Sequence, residues 1–286
     1  MDLNFWVIQT FNGVSYGALL FLLASGLSLI FGVMRIVNLA HGSFFLLGGY
    51  VALTVIWTTG SWLLALPAAA LVIAVVGMLM ERVFLRPLGF DPLRQVLLTV
   101  GFAYLFQQAA LDIWGGDNLD IVPPAVLKES AVIGGFYFPI YRVFMIGMAL
   151  VVGLILWLAM EKTRVGAMVR ATVDDSEMAR GVGIDTSRVS MLIFALGAFL
   201  AGLGGVVGGA FLGVYPGLDF AILPIAFAVV IIGGMGSLTG AAVGSLLVGL
   251  ADNFGKALFP EISYFTLYAP MVLILALKPT GLFGRE

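Results

Sequence analysis

Long apolar runs separated by short polar segments constrain this sequence more than any other feature. Several runs approach the roughly 20 residues that an α-helix needs to cross a bilayer, whereas the strands of a membrane barrel would alternate over about 10. Charged residues make up 10% of the chain, far below the roughly 25% of soluble domains. The 37 glycines suit helices that pack closely in lipid. We therefore predict an all-α, polytopic integral membrane protein.

The apolar runs predict eight or nine membrane segments in a single transmembrane domain, residues 1–286. The N-terminus lacks the positive charge of a cleavable signal, so we expect it to remain as part of the first span. One run is too short for a full crossing and precedes a glycine-rich stretch, which indicates a broken or re-entrant helix. The predicted segments are residues 5–31, 37–57, 63–85, 95–114, 140–160, 189–212, 220–232 (the short one), 241–258 and 264–277.

The distribution of positive charge predicts the orientation of the chain. Lys and Arg collect in the cytoplasmic segments of membrane proteins. With the N-terminus outside, 11 of the 14 Lys and Arg residues fall on the inner side. We therefore expect an outer N-terminus, a cytoplasmic C-terminus, an outer loop at residues 115–139 and a cytoplasmic loop at residues 162–188.

The loop at residues 162–188, hereafter the central loop, is the longest polar interruption in the chain. It holds five of the 14 Lys and Arg residues and four acidic ones, a density that requires water. Residues 166–182 predict one or two short helical turns, which Gly181 and Gly183 end. A short helix between two spans suits docking to a cytoplasmic partner, and an ordinary solvated loop is the alternative.

Catalysis by this chain is disfavoured. Enzymes gather titratable groups in a pocket, and the apolar spans are nearly free of them. The sequence has no metal-ligand spacing, nucleophile triad or phosphate-binding loop, so we expect no metal and no cofactor. A net charge of −2 gives no indication of nucleic-acid binding, and the absence of cysteine excludes thiol chemistry. The scarcity of intramembrane acids also disfavours an ion-coupled carrier, although unwound backbone carbonyls could bind an ion.

A few polar residues inside the predicted spans are candidates for a solute path. Asn38, His41 and Ser43 begin span two, where they could line a passage or satisfy freed backbone groups. Gln107 and Gln108 lie within span four, where at least one must face protein or water, and hydrogen bonding between helices is the favoured role. We expect the glycines at residues 202–209 to permit close helix packing.

Four stretches resemble a known transporter family. The segment EMARGVG, residues 177–183, is similar to the E-A-A-x-x-x-G signature of permeases of ATP-binding-cassette (ABC) importers, with Met178 in place of one alanine. The longer stretches resemble the branched-chain amino-acid permease family specifically. They are residues 26–53, 170–209, 231–249 and 277–284.

This resemblance implies a multi-pass permease subunit in the bacterial inner membrane. Such a subunit pairs with a second, related permease, as a heterodimer, and with two cytoplasmic ATPases that hydrolyse the ATP. A periplasmic protein delivers the solute: a branched-chain or other amino acid, an amide, urea or an aromatic acid. The alternatives are an ATPase-independent channel or uniporter, which would transport alone, and an ion-coupled carrier.

The resemblance also implies a coupling helix for the ATPases at residues 170–183. Glu177, Ala179 and Gly183 match the signature. We expect Gly183 to let the chain turn and Ala179 to keep the docking surface close. Glu177 could offer a charge to the ATPase groove or to its own helix N-terminus. The full candidate coupling set is Arg170, Asp174, Asp175, Glu177, Ala179 and Gly183.

Overall fold

The computed structural model describes residues 3–89 and 91–284, and this part of the chain is predominantly α-helical. Seven helices are long and apolar enough to cross a membrane, and two shorter apolar helices accompany them. The helices are α1 Leu3–Met34, α2 His41–Thr59, α3 Trp62–Met80, α4 Pro92–Trp114, α5 Ala125–Lys128, α6 Ile140–Lys162, α7 Arg164–Asp174, α8 Ser176–Gly181, α9 Thr186–Leu212, α10 Leu218–Gly233, α11 Leu238–Leu258 and α12 Ser263–Leu277. This confirms the predicted all-α, polytopic membrane fold, with α10 and α12 as the two short apolar helices of the described residues.

The centre of the bundle is built on contacts between glycines. Helix α9 packs along α1, α2 and α3, while α11 packs along α1. A Cβ added at Gly26 would lie 2.6 Å from the carbonyl oxygen of Gly197, and one added at Gly48 would lie 2.6 Å from the Cα of Gly202. Backbones can approach this closely in lipid only where side chains are absent. The expected packing role of the glycines in α9 is thus observed within this chain.

Antiparallel packing of α1 and α11 defines two faces of the molecule. Gly13 near the start of α1 lies against Leu250 late in α11, and Gly32 near the end of α1 lies against Gly236, which precedes α11. We call the side where α1 begins the N-terminal face. The opposite side is the central-loop face, where Arg86 donates a hydrogen bond to the Ser187 carbonyl at 3.0 Å.

The loop at residues 115–139 lies on the N-terminal face and is partly ordered. It contains α5 and an antiparallel hairpin of β1 Ser130–Ile133 and β2 Phe136–Pro139. Phe138 of the hairpin packs on Phe11 of α1, with ring centroids 4.5 Å apart. The loop is therefore fastened to the start of the bundle and lies opposite the central loop.

Helix α10 is the short element of the bundle. Its 16 residues span about 24 Å at 1.5 Å per residue, less than the roughly 30 Å of a hydrocarbon core. Most of its side chains are buried, and its end is joined to the C-terminal segment, where the Phe283 amide donates to the Gly233 carbonyl at 2.9 Å. The helix therefore ends towards the central-loop face and begins inside the protein.

The expected start of span two at residue 37 is wrong. Residues 35–38 are not helical, and α2 begins only at His41. Arg35 has a left-handed backbone with φ of 55°, which turns the chain sharply after α1. The Asn38 side-chain oxygen then accepts from the Ala40 amide at 3.1 Å, and a local bond of this kind competes with helix formation. Residues 35–40 are hereafter the unwound segment.

Candidate functional site

The unwound segment carries the chain deep into the membrane domain before α2 starts. His41 is fully buried, and its Nε2 lies 2.9 Å from the carbonyl oxygen of Leu23. Leu23 precedes Met34, the last residue of α1, by eleven positions, or about 16 Å at 1.5 Å per residue. Helix α2 therefore begins far from the membrane surface.

Hydrogen bonds from α4 and from the segment itself hold part of the unwound backbone. The Leu39 amide donates to Thr99 Oγ1 of α4 at 3.2 Å, and the His41 amide donates to the Asn38 carbonyl at 3.3 Å. Non-helical backbone at membrane depth is tolerated only where it is buried in protein or lines a water-filled cavity. Thr99 was absent from the sequence-based candidates because a lone threonine inside an apolar run gives no signal.

Helix α10 begins beside the start of α2. Ser43 Oγ donates to Asp219 Oδ2 at 2.9 Å, and both residues are buried. Gly42 faces α10 so closely that an added Cβ would lie 3.1 Å from the Leu223 Cβ. Neither helix has a side-chain cap bond at its N-terminus. Two helix N-termini, each carrying a partial positive charge, therefore meet within the membrane domain.

Three buried polar atoms in this region make no hydrogen bond within the described parts of the chain. They are Asn38 Nδ2, His41 Nδ1 and Asp219 Oδ1. A buried group without a partner costs about 1–3 kcal/mol. Broken helices whose N-termini meet near the midplane bind solute in several transporter folds. The start of α2 and the start of α10 together are hereafter the helix-start site.

The two glutamines of α4 separate in the structure. Gln107 is half-buried, and its Nε2 lies 3.9 Å from the position of a Cβ added at Gly217, the residue before α10. Gln108 is exposed and donates to Asp112 of the same helix at 2.9 Å. Gln108 therefore does not make the expected hydrogen bond to another helix of the described chain, because its side chain is exposed and bonds within α4. The structure brings only Gln107 towards the helix-start site.

The central loop forms two short helices with a cap at each junction. Thr163 accepts from the Gly166 amide at the start of α7. Asp175 ends α7 and caps α8, accepting from the Glu177 and Met178 amides at 2.9 Å each. Asp185 accepts from the Arg188 amide at the start of α9. Gly183, which joins α8 to α9, has φ of 91°, a conformation that favours glycine.

The candidate coupling residues divide between internal anchors and an outer surface. Arg170 donates to the Met160 carbonyl, and its Nη1 lies 4.0 Å from Glu161, so it fastens α7 to the end of α6. Ala179 is 3% exposed. Ala179 therefore packs inward and holds α8 against this chain, and the expectation that it keeps the docking surface close stays a prediction. Asp174 is exposed and lies at the end of α7.

The outward side of α8 and the turn after it is apolar with one acid. Met178 is 66% exposed and Val182 is 70% exposed. Glu177 and Gly183 are exposed beside them. Glu177, Met178, Val182 and Gly183 are hereafter the outward patch.

A polar cavity of about 380 Å³ lies between the central loop and the ends of the membrane helices. Its membrane wall includes Arg35 and Glu81, and its loop wall includes Asp174 and Arg180. Glu81 is buried in a π-helical turn after α3 and pairs with Arg86 at 3.3 Å. A regular α-helix has 3.6 residues per turn, and the apolar pattern of the sequence shows no sign of the wider π turn at Glu81.

Comparison with known proteins agrees with this architecture. Residues 9–275 match the family model described as "Branched-chain amino acid transport system / permease component". The chain belongs to this permease family. It is 31% identical to the high-affinity branched-chain amino acid transport system permease protein LivH of Escherichia coli (strain K12), over 98% of this chain and 96% of that protein.

Two further relatives extend the comparison. The permease protein BraD of Pseudomonas aeruginosa is 29% identical over 99% of this chain and 97% of its own length. LivM of Escherichia coli (strain K12) is 27% identical over 91% of this chain but only 67% of its own length. No solved structure matches the chain.

Proposed function

We propose that this chain is the permease subunit of an ATP-driven importer of branched-chain or related amino acids. The observation that carries the proposal is α8, a capped helix with an exposed outer side at the position of the importer signature. ATP would be hydrolysed by separate subunits, and this chain would supply the path. The family membership and the LivH-like length support the same assignment.

The outward patch would dock in a groove of an ATPase subunit. Met178 and Val182 supply apolar area that is exposed in the isolated chain, and exposed apolar patches commonly mark interaction sites. Glu177 adds a charge that fixes the register of docking. Behind the patch, Ala179 and Arg170 join α7 and α8 to the bundle. Movement of an ATPase would therefore reach the membrane helices through these contacts.

The helix-start site would bind the solute at mid-membrane. Its two helix N-termini favour a carboxylate, and Asn38 and Asp219 have buried polar atoms left for hydrogen bonds. An amino acid carries both a carboxylate and an ammonium group, so it complements a site with donors and an acid. Gln107 would complete the path on the side of α4.

The arrangement of faces supports an orientation in the bacterial inner membrane. The central-loop face would be cytoplasmic, where the ATPases reside, and the loop at residues 115–139 would face a periplasmic solute-binding protein. The second permease would complete a heterodimer. Residues 1–2 and 285–286, the two termini of this proposed topology, lie outside the described residues.

Charge reversal on the outward patch tests the proposal. We expect Glu177→Lys to lower ATP-driven amino-acid uptake by at least about tenfold, because like charges placed at an interface cost several kcal/mol. Gly183→Trp should act similarly, since its left-handed backbone tolerates no bulky residue. The matched control is Glu261→Lys, the same substitution at an exposed site outside both the central loop and the loop at residues 115–139. Uptake by both loop variants at the wild-type rate would refute coupling through α8.

A further inference from the structure

The polar cavity under the central loop is distinct from the helix-start site and from the outward patch. It has a volume of about 380 Å³, within the roughly 300–1,000 Å³ of small-molecule sites. One wall is formed by the end of α1 and the helical turns that follow α3, and the other by α7, α8 and the start of α9. A molecule bound here would therefore touch both the membrane domain and the coupling helices.

The charges around the cavity favour an anionic group. Arg35, Arg86 and Arg180 supply three positive charges, and the acids are Glu81 and Asp174. Arg86 is occupied by Glu81 and the Ser187 carbonyl, and Arg180 donates to Thr186 Oγ1 at 2.8 Å. The Arg35 backbone amide donates to the Phe31 carbonyl at 2.8 Å, but its side chain makes no hydrogen bond or ion pair to residues 3–89 or 91–284. Its guanidinium is therefore the group that is available to an incoming carboxylate.

The backbone of Arg35 is also unusual. Its φ of 55° is a left-handed conformation, and Arg35 is the single non-glycine residue with positive φ in the described chain. Such strain costs about 1–3 kcal/mol and persists where the surroundings impose it, often at ligand sites. Arg35 lines the cavity at the start of the unwound segment.

The remaining lining suits a short aliphatic chain. Val33, Met34, Leu85 and Val173 provide apolar surface next to the charged groups. A small aliphatic carboxylate would place its acid group at Arg35 and its hydrocarbon part against these residues. An α-amino acid would add an ammonium group, and the negative charge of Asp174 on the loop wall of the cavity would attract it.

We propose that this cavity binds a small aliphatic carboxylate from the cytoplasm, with the imported amino acid as its source, and that the bound molecule inhibits transport. The identity of the ligand rests on the proposed importer function. The ligand bridges the coupling helices and the membrane helices, so it stabilises the arrangement seen in this structure relative to the other arrangements that transport requires. Accumulated product would thereby slow its own import.

Binding can be measured without transport. This chain has no cysteine, so Ser176→Cys, on the loop wall of the cavity, gives this subunit a single thiol, whose labelling is read on this subunit after the complex purified from its native membrane is separated into its chains. We expect L-leucine to protect this thiol from a maleimide. Val165→Cys, which is exposed on α7 and lies outside both the cavity and the outward patch, should label equally with and without L-leucine.

Arg35→Asn tests the guanidinium while suiting the left-handed backbone. In the Ser176→Cys background it should raise the leucine concentration for half-protection by about 10- to 100-fold, the value of a charge-assisted hydrogen bond. Arg164→Gln is the matched control, because Arg164 is exposed on α7 and does not line the cavity. Unchanged protection in Arg35→Asn would overturn the site, and so would absence of protection in the parent.

Comparing two test ligands shows which chemical groups the cavity recognises. L-leucine and the 2-oxo acid with the same carbon skeleton share the carboxylate and the apolar part. Protection by both assigns binding to Arg35 and the apolar wall, and protection by L-leucine alone adds the ammonium contact. Protection by neither contradicts the proposal.

Inhibition is then measured in proteoliposomes that hold ATP and L-leucine in the lumen on the central-loop side. At ten times the half-protecting concentration, about one-eleventh of the sites remain free, so initial uptake should fall about tenfold. At the same lumenal leucine concentration, initial uptake by Arg35→Asn should fall by a smaller factor, measured against its own uptake without lumenal leucine. Undiminished uptake would refute the inhibitory role. A parent complex with no ATP-driven uptake would instead refute the importer assignment, while the thiol measurement stands by itself.

Discussion

The cap of α8 allows a quantitative prediction about the coupling helices. Asp175 accepts two hydrogen bonds of 2.9 Å from the Glu177 and Met178 amides, and α8 contains only six residues. Helices shorter than about 12 residues are marginal without other support. The support here is the cap and the burial of Ala179. Removing the cap by Asp175→Ala should cost about 0.5–2 kcal/mol.

That cost converts into a measurable change in helix opening. A loss of 0.5–2 kcal/mol raises the open population of α8 by about 2- to 30-fold. Hydrogen exchange at the α8 amides of the assembled complex should accelerate by this factor. ATP-driven uptake should fall in parallel, because an open α8 cannot transmit movement from an ATPase.

Two variants control this prediction. Asp175→Ser should retain most of the protection and uptake, because serine caps helices about as well as aspartate. Asp185→Ala removes an equivalent cap from α9, but α9 has 27 residues, many of them buried, so uptake should change little. The reasoning is refuted if Asp175→Ala leaves α8 exchange unchanged, or if exchange accelerates while uptake stays at the wild-type rate.

Two further predictions concern the membrane domain. Gly48→Ala should lower the stability of the complex by about 1–3 kcal/mol in thermal unfolding, because its Cβ would lie 2.6 Å from the Gly202 Cα. Gly101→Ala should leave the stability unchanged, because a Cβ added there meets no atom within 4 Å. Ser43→Ala removes the donor to Asp219 and should slow uptake about tenfold or more, since a hydrogen bond to a charged group contributes about 1.5–3 kcal/mol. Wild-type uptake by Ser43→Ala would remove Asp219 from the path.

The membrane helices were predictable because each one needs a long apolar run. Predicted and observed bounds of α6, residues 140–160 against Ile140–Lys162, differ by two residues at one end. The short helix α10 was also predictable, since its apolar run is interrupted by glycines. These features depend on local sequence and on the thickness of the bilayer.

The helix-start site was only partly predictable, because its chemistry comes from tertiary contacts. Asn38, His41 and Ser43 were visible as polar residues in an apolar context, but the helix was expected to begin before them. The unwound segment is stabilised by Thr99 of α4, and Ser43 is bonded to Asp219, 176 positions away. Ala179 illustrates the same limit, since a family signature does not state which side of a helix faces inward.

The central claim is that this chain transports only when ATPases act on its central-loop face. The most direct measurement is accumulation of labelled L-leucine in proteoliposomes that contain either this chain alone or the complex isolated from its native membrane. With ATP on the central-loop side and the periplasmic binding protein outside, we predict uptake against a gradient by the complex and none by the chain alone. Equal transport by the chain alone, without ATP, would contradict the account and support a channel or carrier.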